Sequence, residues 1–475
     1  MTMHLGTSRL VAALSLAALV LQAGCGDDSG VDGFKPPAKD SSAGLDTTAG
    51  GDVAEDQQAS TDATDSAAGP DAVADVAGPD ADAGPDTPEV VCGPPTGQRP
   101  PALSEHAGAY DPAGRRLIIT GGSTAVSIDC SFPAATFETT TWIYEADCGD
   151  WRKVEGKGPT PRNRHAAVLA GGDRQQMLIY GGRFRPPNTA AYTLRSDVWA
   201  FDLATETWSE LPTKSAPPAR VNPAMVWDSV NDRLILFGGN SSTSGSAYIS
   251  RDDTWVLDLK TGTWTEIATT GKPSSRLFSA ALWDATRQRM IIYGGADEDA
   301  FFSAGGGILD GLWGLAITGG TGGWAQLDDI SPTVPEPRFW AAMVMDPERD
   351  RYVMFGGHDG QALGNRNDLW SFDPEANAWS KMSAGDLFNK GPTGICAFPA
   401  DFTVVDAAAP ERREAHVFAA GGGEAFVTGG KTDCGAVDDV FRLDLSTGAW
   451  TEEVPATVGE SCLRAGGGEC KSLCF

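Results

Sequence analysis

The sequence predicts an all-β fold: a six-bladed β-propeller of four-stranded antiparallel sheets, preceded by a disordered acidic linker. Three observations carry this. A glycine pair recurs at Gly121-Gly122, Gly181-Gly182, Gly238-Gly239, Gly294-Gly295, Gly356-Gly357 and Gly429-Gly430, at spacings of 56 to 73 residues. An apolar run without alternation precedes each pair, as in Leu117-Ile118-Ile119, Leu234-Ile235-Leu236 or Tyr352-Val353-Met354, the pattern of a strand buried on both faces. An aromatic follows each pair, with a Trp nine or eleven residues beyond it: Trp142 and Trp151, Trp199 and Trp208, Trp255 and Trp264, Trp313 and Trp324, Trp370 and Trp379, Phe441 and Trp450. Eleven of the fourteen Trp fall in these slots, so the unit is a repeat, and sheets that cannot bury both faces alone must stack on one another.

In chain order, residues 1–24 read as an export signal. Arg9, the apolar run Leu10 to Leu21 and the small pair Ala23-Gly24 precede Cys25, and the run is too short to span a bilayer. The segment resembles a bacterial lipoprotein signal, with Gln22 where that family usually has Leu. The resemblance implies lipidation at Cys25 and attachment to the bacterial cell envelope through the lipid, with an outer-membrane anchor expected. Residues 25–91 are rich in Asp, Ala, Gly and Pro, carry no Lys or Arg from Asp40 on, and repeat Ala-Gly-Pro-Asp at Ala68, Ala77 and Ala83. Such a composition cannot bury enough to fold and reads as a self-repelling tether. The net charge is −28, about half of it in this tether, and it disfavours nucleic acid as a partner.

Residues 92–475 form the ring, with a Cys-rich tail from about 457. With Cys25 set aside, eight Cys remain in an exported chain, an even number that points to disulfides. Cys130 and Cys148 bracket a loop of the first unit, Cys396 is expected to reach Cys434, and Cys92 is expected to bond to Cys462, Cys470 or Cys474, pinning the ends of the ring. Metal binding by these Cys is the rival reading, but no Cys-x-x-Cys pair accompanies them.

Each unit opens with a Pro and Arg ahead of its innermost strand, giving Arg162, Arg220, Arg276, Arg338 and Arg413, with Leu103 in the first unit. Three residues further on stand His106, His165, Pro223, Ser279, Ala341 and His416. An Asp-led turn of equal length follows at Asp111, Asp228, Asp284 and Asp346, which implies equal strand register. Two places break the frame: the loop Ala296 to Leu309 with Phe301-Phe302, and the insertion Ser383 to Pro410 with Phe388, Phe398 and Phe402. Long loops on a rigid ring are where binding usually sits.

The double glycines, the spaced aromatics and turns such as Asn367-Asp368-Leu369-Trp370 resemble the Kelch family of β-propellers over about residues 99 to 456. By repeat symmetry the five arginines ring one mouth of the channel, where their guanidinium forks could grip a carboxylate, as the resemblance allows; alternatively each pairs with an Asp or carbonyl of its blades. His106, His165 and His416 could bind zinc or copper, or pack as structural residues. Asp197, Asp253, Asp368 and Asp439 are expected to accept hydrogen bonds from their own turns. Galactose oxidase belongs to the wider superfamily, which leaves a secreted copper or other metal-dependent oxidase as the alternative. It would need two Tyr and two His around the metal, plus a Cys joined to one Tyr. No nucleophile elbow, phosphate-binding loop or His-Glu-x-x-His is present. The expectation is therefore a non-catalytic module, with no cofactor implied, that acts as a monomer and binds a protein or glycan through loops at one face.

Overall fold

A computed structural model describes residues 92–457 apart from 125–135, 187–188, 190, 245–246, 301–306, 329, 360–363, 390–402 and 433–434. The signal, Cys25 and the tether lie outside the described residues, as do Cys130, Cys396, Cys434, Cys462, Cys470 and Cys474 and the aromatics Phe301, Phe302, Phe398 and Phe402.

Among the described residues, six sheets with four antiparallel strands each follow one another, besides three small sheets of two or three strands, and none of the six borrows a main strand from the opposite end of the chain. Their first strands are Ala107–Asp111, Ala166–Ala170, Ala224–Asp228, Ala280–Asp284, Ala342–Asp346 and Val417–Gly421. The expected common register is present: Asp111, Asp228, Asp284 and Asp346 pair across the first turn with Arg116, Arg233, Arg289 and Arg351. Each first strand lies beside the first strands of two other sheets, and following these contacts from sheet one to sheet six returns to sheet one.

The apolar second strands explain the stacking. In Arg116–Thr120, Leu117 and Ile119 enter a core with Val417, Phe426 and Val440 of sheet six, while Ile118 enters a core with Met177 and Phe201 of sheet two. The side chains alternate between two neighbours, so both faces are buried. Equivalent cores join sheets two and three, three and four, four and five, and five and six. The late Trp of each unit plugs these cores, with Trp151, Trp264, Trp324 and Trp379 at most 6% exposed.

The glycine pairs form the seams. All twelve have φ between 62° and 108°, conformations that Cβ-bearing residues rarely adopt. The second glycine donates its N–H to the carbonyl that opens the next sheet: Gly122 to Arg162, Gly182 to Arg220, Gly239 to Arg276, Gly295 to Arg338 and Gly357 to Arg413, at 2.8–3.0 Å. Gly430 donates to Leu103 at 2.8 Å, so sheets six and one meet through the same bond as every other pair. The first glycine lies so close to that carbonyl that a Cβ at Gly294 would stand 2.3 Å from the Arg338 oxygen.

The disulfide pairing departs from expectation. Cys92 is bonded to Cys148, in the turn between the third and fourth strands of sheet one. Cys148 is therefore not the partner of Cys130, nor Cys92 of a tail cysteine. The reason lies in the path of the chain. Residues 92–100 run along the outer edge of sheet one, Thr96 donating to Asp150 Oδ2 at 2.7 Å and to the Trp151 carbonyl at 2.8 Å. Cys92 thus begins at the turn face, whereas Trp450–Val454 climbs to the glycine face, where Thr457 is bonded to Asp438.

Candidate functional site

The arginine series is structural. Arg162, Arg220, Arg276, Arg338 and Arg413 are 0–4% exposed, and each donates to the carbonyl of its own sheet's first paired glycine. Four of them also fork onto a carboxylate: Arg162 on Asp197, Arg220 on Asp253, Arg338 on Asp368 and Arg413 on Asp439, at 2.6–3.0 Å. Burial alone would raise the Asp368 carboxyl, but the charge and hydrogen bonds of Arg338 outweigh it and hold the group below the usual carboxylate range. Three of these aspartates also accept from the indole two residues on, Trp199, Trp255 and Trp370. Their main partners are thus the Arg and Trp of their own sheet rather than turn amides, and the arginines leave no free guanidinium for a ligand. Sheet one lacks both members, having Leu103 and Thr140 in their places. In sheet four Arg276 meets the Asp310 carbonyl instead of a carboxylate, and burial lowers its pKa to about 10.

The histidines pack into the seams. A Cβ on the first paired glycine of the preceding sheet would meet the imidazole Cε1: Gly429 with His106 at 2.5 Å, Gly121 with His165 at 2.7 Å and Gly356 with His416 at 2.7 Å. Burial pushes His106 down to about 4. It pushes His165 down to about 3, helped by the Arg162 charge, and His416 well below its ordinary value. Among the described residues no three His, Cys, Asp or Glu side chains converge as a metal site would require. Five of the seven tyrosines, Tyr110, Tyr144, Tyr180, Tyr293 and Tyr352, are buried within the sheets. The donor set a copper oxidase needs is not assembled by these residues.

What the sequence reading missed lies between the two series. Two residues after each Arg, and after Leu103, stand Glu105, Arg164, Asn222, Phe278, Trp340 and Ala415. All six have φ between 51° and 63°, a left-handed backbone that costs a non-glycine residue roughly 1–2 kcal/mol. Backbone bonds between sheets hold them: Glu105 donates to Ala415, Arg164 to Glu105, Asn222 to Arg164 and Trp340 to Phe278, at 2.8–3.1 Å. These residues and the next one in each sheet surround a cavity of about 130 Å³ on the channel axis.

Around this mouth the backbone is repeated and the side chains are not. Arg164 forms an ion pair with Glu105 on one side, and on the other lies over the rings of Trp340 at 4.9 Å and Phe278 at 5.5 Å. Asn163 also donates to Glu105, at 2.5 Å. Burial would raise Glu105, but the Arg164 charge, with Arg183 and Lys431 behind it, lowers it overall. The mouth thus combines an aromatic wall, a fixed ion pair and small uncharged residues. The signal was available in the sequence: at one fixed offset every unit differs, and Trp340 is one of three Trp outside the repeat slots.

A family profile described as the KLHDC2/KLHL20/DRC7 Kelch-repeats domain matches residues 86–295 and 174–405. Kelch domain-containing protein 10 of Xenopus tropicalis is 25% identical over 317 residues, covering 64% of this chain and 67% of that protein. The human protein of the same name is 24% identical over 319 residues, covering 65% and 64%. Acyl-CoA-binding domain-containing protein 5 of Arabidopsis thaliana is 24% identical over 291 residues, which is 40% of its length. The chain therefore spans about two thirds of the length of its Kelch domain-containing relatives and less of the plant protein. The solved structure of YjhT shares the fold, with a TM-score of 0.52 at 13% identity, over 75% of this chain and 99% of that one. With the profile matching well over half its length and the glycine seams, Trp plugs and stacked sheets in place, the chain belongs to the Kelch-repeat family.

Proposed function

We infer that this protein is a non-catalytic interaction module that takes a protein or glycan group at the axial mouth of its glycine face. One observation carries the reading: six residues at equivalent places around the axis share a strained backbone and share no side chain. A purely structural position would be repeated, as the arginines are. The half-buried Trp340, backed by buried Phe278, suits the apolar face of a sugar or an aliphatic or aromatic side chain, and the Arg164–Glu105 pair offers a donor and an acceptor beside it. The irregular loops spring from this same face, since they leave the glycine pairs or return toward the next sheet. The lipoprotein-like signal and acidic tether support attachment to the envelope by a lipid on Cys25, with the ring held off the surface. The direct test is capture from the native cell envelope by the full chain against the R164A/W340A double variant. Selective loss of captured protein or polysaccharide is expected for the double variant at a temperature where it is still folded; equal capture by both would reject the mouth as the site. Metabolic labelling with a palmitate analogue, absent in C25S, tests the anchor.

A further inference from the structure

The ring closes by a different device from the one that continues it, and the device lies ahead of sheet one. In five of the six seams the carbonyl that accepts from the second paired glycine belongs to a strut arginine, whose side chain is fixed to its own sheet. In the sixth, Gly430 donates to Leu103, which has no strut behind it. The cation there is Arg99, four residues earlier, and it reaches across the seam instead of into its own sheet. Its Nη1 lies 3.3 Å from Asp438 and its Nη2 donates to the Pro455 carbonyl at 3.0 Å, both beside the outer strands of sheet six.

Arg99 ends a strap, residues 92–99, whose other end is the Cys92–Cys148 bond on sheet one. Residues 92–98 are exposed throughout, and among the described residues the two bonds of Thr96 are their only hydrogen bonds to sheet one. A segment so thinly held frays at little cost once its covalent end is cut. The disulfide keeps it ordered, so Arg99 is presented to Asp438 with its ordering cost already met. Without the bond that cost falls on an ion pair whose guanidinium is 23% exposed, a kind that stabilises weakly by itself. The turn-face half of the same seam does not depend on the strap, since Glu424 of sheet six binds Tyr110 and Arg115 of sheet one there.

We propose that the strap is a thiol-controlled latch on the glycine-face half of the seam between sheets six and one. A dithiol reductant opens it: one thiolate attacks Cys92 Sγ, Cys148 leaves as a thiolate, and the second thiol of the reductant then displaces Cys92. Two electrons and two protons pass to the cysteines, and the reductant is left as a disulfide. The strap then frays, Arg99 leaves Asp438, and the bonds from Gly430 to Leu103 and from Glu105 to Ala415 lose their backing. Because Glu105 also holds Arg164, opening the latch loosens one side of the axial mouth. That consequence rests on the mouth being the binding site, whereas the latch is tested without any ligand, so the two can fail separately.

The test is hydrogen exchange of the full chain under native conditions. It compares the Gly430 and Glu105 amides with those of Gly239 and Gly295, the counterparts of Gly430 in two other seams. The Cys92→Ser/Cys148→Ser variant removes the bond and leaves the other cysteines as they are. Exchange at Gly430 and Glu105 should rise at least tenfold more than at Gly239 and Gly295. Arg99→Ala, with the disulfide intact, should raise the same two amides selectively, and it reports even where the serine variant folds poorly. A rise shared equally by all four amides would mean that the bond acts only through the unfolded chain and would overturn the proposal. An Arg99→Ala chain with no rise at Gly430 and Glu105 would overturn it as well.

Discussion

The arginine that opens sheets two to six and the residue two places beyond it ride on the same repeated backbone, yet they obey opposite rules. At the first position the side chain is constant, buried and bound to a carbonyl, and in four sheets also to a carboxylate. At the second the backbone is constant and the side chain is Glu105, Arg164, Asn222, Phe278, Trp340 or Ala415. The difference separates what the fold needs from what it displays. An interior cation requires the same partners wherever it recurs, because an unpaired buried charge is costly. A residue aimed into an axial cavity has no such requirement, and the ring can vary it without disturbing the seams.

The largest effect should come from breaking the constant layer. Asp368→Ala strands the Arg338 guanidinium, which is fully buried, and should lower stability by roughly 3–5 kcal/mol in chemical denaturation. Arg276 already lacks a carboxylate, so Arg276→Met should cost markedly less; equal losses at the two sites would dissolve the distinction between paired and unpaired struts. Next in size is the clasp at the first sheet. Cys92 and Cys148 are 56 residues apart, and Cys92→Ser should cost about 4 kcal/mol in the chain-entropy account, read as a lower melting temperature under oxidising conditions.

Smaller and pH-dependent is the contribution of the seam histidines. In the folded chain His106 and His165 hold pKa values of about 4 and about 3, against an ordinary value near 6.5 when unfolded. The unfolded chain therefore binds more protons below about pH 6.5, so stability is complete above that pH and falls as pH drops toward 4. Each imidazole adds a slope approaching about 1.4 kcal/mol per pH unit. His165→Gln should flatten the profile between pH 6.5 and 4, and an unchanged slope would mean the ring is already solvated. Smallest for stability, by the logic of the variable layer, is Trp340→Ala. It should cost about 2 kcal/mol, since the ring is only half-buried and packs at the margin of the Phe278 and Phe339 cluster, while weakening ligand capture at least tenfold.

Much of this was legible in the chain. Strand order, equal turns and two-sided burial follow from the glycine pairs, the apolar triplets and the Trp spacing, because each expresses a local rule about backbone freedom or side-chain burial. The fate of the arginines was left open, since their partners stand 26 to 35 residues away and only folding brings Asp197 or Asp439 to the guanidinium. The disulfide was misassigned for a related reason: Cys130 is nearer in sequence to Cys148, but the segment from Cys92 lies along the outer edge of sheet one, beside it.

The sequence by itself determined the repeat and therefore the sheets, because unbroken apolar runs and the placing of glycine act within a few residues. Only the tertiary structure decided which positions face the axis and which charges are spent inside the ring. Those outcomes depend on six separate units meeting in space, and no single unit carries the information about what its neighbour will present.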